Sequence, residues 1–446
     1  MHSRTVKIPN YSTISSDDNE YIIPERINAS ASDVLNYLLR YGTDQQVNFV
    51  LYLDGKVNEK LMKKAIRLAL DAEPILGSRL IKNVRKPYWK RREDLDNEDY
   101  FKVIKEKNNE LLSKQFILRQ IDPSEEPLIQ VRIYRDKTDS IAIKSDHSVM
   151  DGGGFYDFLT LLASIYNELL KDPIYLVKPN LTGDRSVNQV LKHYNFRSKL
   201  KSFLKETTSS PTWSFPAIGS GKIRKNFILK RFSKERFQII KEYGKNHNAT
   251  INDMFLTAFF RGLFQIQKPK PGSTMIVSVP TDLRSLLPER KAETIANLVS
   301  STFAAAKYNP DESFADTLAQ ISQQMKKKKE IHLGLGYMYI IKNIFRIRFS
   351  FLERIVKMVY NRLTKKGKMH PILTNVGMID SQKRHFGDVN VIDGYLVTPV
   401  NWSPSFSMGI SSFDKKLTLS VGFCEDSYSK ESVERFLEFI DQQLPK

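Results

Sequence analysis

Cysteine is almost absent from this chain of 446 residues, since Cys424 is its single cysteine. One thiol excludes an internal disulfide and a cysteine metal cluster, and such a composition suits a reducing cytoplasm. We expect Cys424 to be a small buried apolar residue. The chain's 7 histidines show no paired metal-ligand spacing, so the sequence predicts no metal site.

Long apolar runs are also missing. The longest segment without a charge is the 20 residues from Gly394 to Phe413, and it contains two prolines and five serines. Such a segment cannot form a helix that spans a bilayer. The first residues, Met1 to Asn10, lack the apolar core of a secretory signal. We therefore expect a cytoplasmic protein, with peripheral contact to a membrane left open.

Several catalytic motifs are absent as well. The sequence has no Gly-x-Ser-x-Gly and no Walker loop, and Gly334-Leu-Gly336 is too short for a dinucleotide fingerprint. These absences argue against a serine hydrolase of the α/β type, a P-loop nucleotidase and a dinucleotide-dependent enzyme. The sequence therefore predicts a reaction that needs neither a redox cofactor nor a metal.

Positive charge is abundant and unevenly distributed. The net charge is +19, and residues 326–368 contain 13 Lys and Arg against two Glu, interleaved with aromatic and aliphatic residues. Three interpretations stay open for this basic segment: core helices with solvated basic faces, a surface that lies on an anionic membrane and presents an acceptor lipid, or a site for an acidic carrier protein or a cofactor phosphate. Nucleic-acid binding is disfavoured because no helix-turn-helix, zinc or RNA-binding signature accompanies the charge.

Strand and helix patterns interleave along the whole chain, and 41% hydrophobic content is sufficient for sizeable cores. The sequence predicts an α/β or α+β fold with mixed sheets. The two halves have a similar order of elements, which indicates a pseudo-twofold pair of domains. We expect an N-terminal domain at 1–178, a crossover linker at 179–221 and a C-terminal domain at 222–446.

The sharpest motif is Asp146-His147-Ser-Val-Met-Asp151-Gly152-Gly153-Gly154, which follows a predicted strand and precedes a predicted amphipathic helix. At such a junction His147 can project into a cleft while Asp151 turns back and fixes the loop, and the glycines supply backbone angles that other residues resist. An imidazole can accept a proton from a hydroxyl or an amine as that group attacks a carbonyl. The motif therefore predicts a general base.

Other segments complete a pattern with this motif, namely Val47 to Leu80, Asn252-Asp253-Met-Phe-Leu-Thr-Ala, Val279-Pro280-Thr-Asp282-Leu-Arg284, Asn297 and Thr374-Asn375-Val376-Gly377. Together they resemble the chloramphenicol acetyltransferase-like superfamily, in the double-domain branch with condensation domains, alcohol acetyltransferases and wax ester synthases. The resemblance covers most of the chain. It implies two chloramphenicol acetyltransferase-like domains, each a mixed sheet flanked by helices, in a pseudo-dimer with an interdomain tunnel.

The resemblance also implies roles for individual residues. His147 is the expected catalytic base, Asp151 has a mainly structural role, and Arg284 is its expected ion-pair partner. Four further residues, Gly152, Gly153, Asn375 and Gly377, are expected to line the substrate tunnel. The implied donor is an acyl-CoA or phosphopantetheine thioester, used as a substrate and not as a bound cofactor.

The chain departs from the family pattern at two places. Asp146 stands where many members have a first histidine, and the plant-type Asp-Phe-Gly-Trp-Gly motif is replaced by Arg384-His385-Phe386-Gly387-Asp388. His147 ends the first third of the chain, as in the double-domain, monomeric branch. We expect a monomeric acyltransferase that acts on a hydroxyl or an amine. A free-standing condensation enzyme acting between carrier-bound substrates, and a non-catalytic binding protein on the same fold, are the alternatives.

Overall fold

The computed structural model describes residues 21–206, 210–379 and 384–446. The polar lead at residues 1–20 and residues 207–209 of the predicted linker lie outside the described residues. The first half of the chain contains β1 (Arg26–Asn28), α1 (Ala31–Leu38), β2 (Gln46–Leu53), α2 (Glu59–Ala72), β3 (Ser78–Ile81), β4 (Tyr88–Arg91), β5 (Phe101–Ile104), α3 (Asn109–Leu118), β6 (Ile129–Arg135), β7 (Asp139–Asp146), α4 (Gly152–Lys171), α5 (Asn188–Leu191) and α6 (Phe196–Glu206).

The second half repeats the alternation of strands and helices. It contains β8 (Lys225–Phe232), α7 (Lys234–Asn246), α8 (Ile251–Gln267), β9 (Thr274–Asp282), β10 (Val299–Lys307), α9 (Phe314–Lys329), α10 (Leu335–Ile344), α11 (Phe349–Lys366), β11 (Ile372–Ile379), β12 (His385–Phe386), β13 (Val389–Val397), β14 (Val400–Asn401), β15 (Ser407–Phe413), β16 (Lys416–Cys424) and α12 (Lys430–Gln443). Among the described helices, none combines the length and the apolar character that crossing a membrane requires.

Two large mixed sheets organise these elements. The first is six-stranded with the order β12-β13-β2-β7-β6-β5, and the second is seven-stranded, with β10-β9-β11-β15-β16-β14 in order and β8 paired to β16. A small sheet has the order β1-β4-β3, and its Leu80 and Trp89 belong to the same hydrophobic core as Phe49 of the first sheet. The expected architecture of two mixed sheets with flanking helices is confirmed.

Strand β13 joins the two halves. It runs antiparallel to β2 in the first sheet, with Leu396 opposite Phe49, although it comes from the range that the sequence assigns to the C-terminal domain. The split at residue 222 therefore does not divide the strands between the two sheets. The physical reason is that β13 completes the N-terminal sheet by long-range pairing, which a local strand pattern does not specify.

The core of the first sheet positions the helix that follows the His147 motif. Helix α4 buries Phe155, Phe158 and Leu162, and the Phe155 ring stacks on Phe49 of β2 at a centroid distance of 4.2 Å. Burying one such side chain contributes about 1.5–3 kcal/mol. This packing fixes the first turn of α4 against the centre of the sheet.

Lys144, on the strand that leads to His147, has a fully buried side chain. Its Nζ donates to the carbonyl oxygens of Phe116 and Arg119 at 3.2 and 2.7 Å, near the end of α3. Burial, with a smaller contribution from the positive charge of Arg119, lowers the pKa of Lys144 to about 7. Between that pH and the ordinary lysine value near 10.4, the unfolded chain therefore binds more protons than the folded chain.

We predict that this difference appears as a pH dependence of stability. The free energy of unfolding of the wild type should rise relative to that of Lys144→Met as the pH goes from 7 to 10, by up to about 1.4 kcal/mol per pH unit. Urea denaturation at three pH values measures the gap, and Lys241→Met, at an exposed lysine of α7, is the matched control. A gap that stays constant with pH contradicts the prediction.

Candidate active site

His147 lies in the turn between β7, a central strand of the first sheet, and α4. Its backbone N–H donates to the carbonyl oxygen of Gln45 at 2.8 Å, which fixes the main chain beside the start of β2. His147 as a residue is partly exposed, while its Nδ1 is buried and has no hydrogen-bond partner among the described residues. The main chain of this residue is therefore held in place, and the imidazole retains unused hydrogen-bonding capacity.

Asp146, which replaces the family's first histidine, is fully buried. Its Oδ1 accepts from the backbone N–H of Ser148 at 2.9 Å and from the Ser148 hydroxyl, and its Oδ2 pairs with Arg40 Nη2 at 3.2 Å. These contacts tie the turn to the short 3-10 helix Leu39–Tyr41 that follows α1. At this position the chain therefore uses a buried ion pair that stabilises the loop.

Asp151 is the N-cap residue of α4 and is nearly fully buried. Its Oδ1 accepts from the N–H of Gly154 at 2.8 Å, and its Oδ2 accepts from the N–H of Leu298 at 2.6 Å. Arg284 Nη1 lies 2.9 Å from Oδ1 and 3.1 Å from Oδ2. One carboxylate therefore caps the helix after His147 and also holds the segment before β10.

The charges in this cluster depend on each other. Burial alone would raise the pKa of Asp151, but the charge of Arg284, its hydrogen bond and the two backbone donors hold that pKa below its ordinary value. Burial lowers the pKa of Arg284, and the charges of Asp151 and Asp282 more than compensate, so its net shift is upward. Burial, followed by repulsion from Asp151, raises the pKa of Asp282. The cluster keeps Asp151 ionised and leaves its oxygens fully occupied, which is the arrangement of a positioning group.

Two further side chains hold the loop by its carbonyl oxygens. Asn297 Nδ2, from the segment before β10, donates to Ser148 O at 2.9 Å. Arg185 Nη2, from the predicted linker, donates to Val149 O at 2.9 Å and pairs with buried Asp33 of α1 at 3.1 Å. Sequence reasoning missed Arg185, because a lone arginine in a polar stretch carries no motif. Contacts from several parts of the chain thus converge on the loop that contains His147.

The three glycines are present for a different reason than the sequence suggested. Residues Gly152, Gly153 and Gly154 form the first turn of α4, so they adopt ordinary helical geometry and no unusual backbone angles are required. A Cβ at Gly153 would lie 2.6 Å from Arg284 Nη1, and one at Gly154 would lie 2.8 Å from Ala296 O. Glycine is therefore required here because the second lobe approaches closely. The expectation that these residues adopt unusual backbone angles is wrong.

Asn375 and Gly377 lie on β11, at an irregularity in its pairing with β15. Asn375 is exposed, and its Oδ1 accepts from the N–H of Gly377, which has a φ of +80°, at 2.9 Å. Val376 between them packs against α4, since a Cβ at Gly152 would lie 2.8 Å from Val376 Cγ1. The structure thus brings this strand against the first turn of α4 through Val376, and the Asn375 side chain bonds within its own bulge.

A family model for the condensation domain matches residues 36–445. Because that match covers nearly the whole chain, the chain belongs to the condensation-domain family and has the double-domain fold of the chloramphenicol acetyltransferase-like superfamily. Acyl transfer and condensation are the general reactions of this class. A search of curated protein sequences finds no match.

Solved structures share this fold. The trichothecene 15-O-acetyltransferase TRI3 from Fusarium sporotrichioides is similar with a TM-score of 0.70 at 13% identity, over 94% of each chain. The epimerization domain from the third module of tyrocidine synthetase B has a TM-score of 0.66 at 14% identity, over 94% of this chain and 95% of that one. Polyketide synthase associated protein 5 from Mycobacterium tuberculosis has 0.63 at 15%, over 93% and 96%. At these identities the likeness establishes the fold.

Proposed function

We propose that this protein is an acyltransferase that moves an acyl group from a thioester, on coenzyme A or an acyl-carrier protein, to a hydroxyl or amine acceptor. The observation that carries the proposal is the position of His147, a partly exposed residue on a loop held by Asp151, Arg284 and Asn297. An imidazole on a firmly held loop, with a nitrogen that lacks a hydrogen-bond partner among the described residues, fits general base catalysis.

In the proposed reaction, His147 accepts the proton of the acceptor's O–H or N–H as the oxygen or nitrogen attacks the thioester carbonyl carbon. The tetrahedral adduct then collapses, the C–S bond breaks and the thiolate leaves. The imidazolium returns its proton to the thiolate, so that ester or amide and free thiol are released. No covalent acyl-enzyme and no metal takes part in this sequence.

The developing oxyanion needs hydrogen-bond donors. The N–H groups of Gly152 and Gly153 belong to the first turn of α4, where backbone N–H groups have no acceptor within the helix. Donors of this kind stabilise negative charge in a water-poor site, and one typical donor changes the rate by about 10²–10³-fold. We assign these two amides to the oxyanion.

The test is acceptor-dependent release of free thiol. Acyl-CoA donors of increasing chain length are incubated with a panel of alcohols and amines, and the thiol is quantified against reactions without protein. The expected result is release above background with at least one donor and acceptor pair, accompanied by the matching ester or amide.

Other outcomes discriminate among the alternatives. Amide formation with carrier-bound substrates, together with no release from free acyl-CoA, would indicate the condensation enzyme. No product from either donor class would indicate a binding protein on this fold and would overturn the proposal.

A further inference from the structure

Helix α11 exposes an unusual amount of apolar surface for a helix so rich in cations. Phe351, Met358 and Val359 are 53%, 59% and 46% exposed, while Phe349 and Leu352 on another side of the helix are buried. The exposed apolar face continues into the preceding turn, where Ile347 is 43% exposed. Contiguous exposed apolar residues of this kind mark an interaction surface.

Helical geometry places these residues together. At 3.6 residues per turn, Phe351, Ile355, Met358 and Val359 occupy an arc of about 100° that adjoins the buried stripe of α11. Arg354 and Lys365 lie at the solvent edge of this arc, and Arg362 and Lys366 extend it at the C-terminal end. We call these four cations and the four residues of the arc the α11 face.

The charge of this face is almost uncompensated. Within the described residues, Lys357 with Glu353 at 3.7 Å is the one ion pair of α11, and Arg354, Arg362, Lys365 and Lys366 have no acidic partner. The Glu353 carboxylate also accepts from the Tyr41 hydroxyl at 2.8 Å, which turns it toward the first lobe. The α11 face therefore presents positive charge and apolar surface together.

A basic cavity lies at the start of the same helix. It has a volume of about 210 Å³ and is lined by Phe349 and Leu352 of α11, among other residues, and by four cations: Arg85, Lys86, Lys342 and Arg346. Cations around an apolar floor suit a negatively charged head group with an attached alkyl chain. The cavity lies on the buried side of α11, between that helix and α1, and places further cations near the start of the α11 face.

We propose that the α11 face binds the surface of an anionic lipid bilayer, with the apolar arc entering the head-group region and the flanking Arg and Lys side chains reaching the phosphates. A helix that lies in the interface has this combination of an apolar face and basic flanks. The arc is a convex stripe and not a groove, and its long cations impose no fixed geometry. Mobile lipid head groups fit such a surface better than the shaped surface of a folded carrier protein.

The proposal goes beyond the proposed acyl transfer and is measured without turnover. Purified protein is floated on a density gradient with vesicles of phosphatidylcholine alone or of phosphatidylcholine and phosphatidylserine at 3:1. We expect the protein to float with the anionic vesicles at low ionic strength, to remain unbound with the neutral ones, and to lose binding as salt shortens the Debye length.

Two variants of exposed residues test the α11 face itself. Phe351→Ser should lower the partition coefficient roughly tenfold or more, and Lys365→Gln with Lys366→Gln should lower it roughly 10- to 30-fold. The matched controls are Ile223→Ser, at a residue that is 87% exposed, and Lys241→Gln with Lys245→Gln on α7. Circular dichroism melts verify that each variant is folded.

Three results would each overturn the proposal. They are no flotation of the wild type with anionic vesicles at low salt, equal flotation with neutral vesicles, and equal losses in the face variants and their controls. The wild type could instead fail to bind vesicles and bind an acidic acyl-carrier protein. If the Lys365 and Lys366 variant alone then lost binding to that protein, the α11 face would be assigned to the carrier protein.

Discussion

Replacing His147 by alanine should lower acceptor-dependent thiol release by about 10²–10⁴-fold, the usual contribution of a positioned general base. His147 is partly exposed, and the loop is held through backbone groups of Ser148 and Val149 and the carboxylate of Asp151. Removal of the imidazole should therefore leave those contacts and the melting temperature close to wild type. We expect the loss in kcat, with KM for the donor largely retained, because in the proposed reaction the ring acts on the reacting proton and not on donor binding.

The matched control for this variant is His193→Ala, which removes an exposed imidazole from the chain between α5 and α6. Its kcat should equal that of the wild type. Thiol release that persists unchanged in His147→Ala would remove the base role from this residue. A large drop in the melting temperature of His147→Ala would mean that the ring supports the loop, and the rate loss could then not be assigned to proton transfer.

Local sequence patterns predicted those parts of the site that local forces determine. The strand before His147 and the helix after Asp151 follow from apolar periodicity, and the observed β7 and α4 agree with them. Short elements were not anticipated: β1 and β5 have 3 and 4 residues, too few for a period to be recognised. Within the predicted linker at 179–221, the chain forms the helices α5 and α6.

Long-range contacts were less accessible to sequence reasoning. Arg185 contacts Val149 and Asp33, which lie 36 and 152 residues away along the chain, and nothing in its neighbourhood signals either contact. The pairing of β13 with β2 in the first sheet was equally inaccessible. The sequence pattern of β13 predicts a strand but does not specify which strand it pairs with. The glycines after Asp151 were recognised as necessary, but the reason, contact with Arg284 and Ala296, requires the second lobe to be in place.

Asp151→Asn should destabilise the protein by about 3–5 kcal/mol and reduce thiol release through displacement of the loop. The amide can replace one acceptor oxygen, but its Nδ2 would face donors in either orientation, namely Arg284 together with the N–H of Leu298 or of Gly154. Buried Arg284 would then lose its nearest charged partner, at 2.9 Å, and keep Asp282 at 3.2 Å. Both effects act on the helix that begins directly after the motif. A lower melting temperature, measured by calorimetry, should therefore accompany the loss of activity.

The stability that Asp151→Asn loses should depend on pH in a definite direction. The pKa of Asp151 is lowered in the folded protein, so its stabilisation is fully present above the ordinary carboxyl value near 4 and is lost as the pH falls through the lower folded pKa. The gap in free energy of unfolding between wild type and Asp151→Asn should therefore be constant from pH 5 to 8 and should shrink below about pH 4. Chemical denaturation across this range measures it.

Ser313→Ala is the control that separates the cap from the ion pair. Ser313 caps α9 with its side chain, accepting from the Asp316 N–H at 3.2 Å, without a buried charge partner. Loss of such a cap should cost about 1 kcal/mol and leave thiol release unchanged. If Asp151→Asn costs no more than this control, the ion pair with Arg284 contributes little to the fold. If its stability is unchanged while activity is lost, Asp151 takes part in the chemistry directly, and its assignment as a positioning residue is wrong.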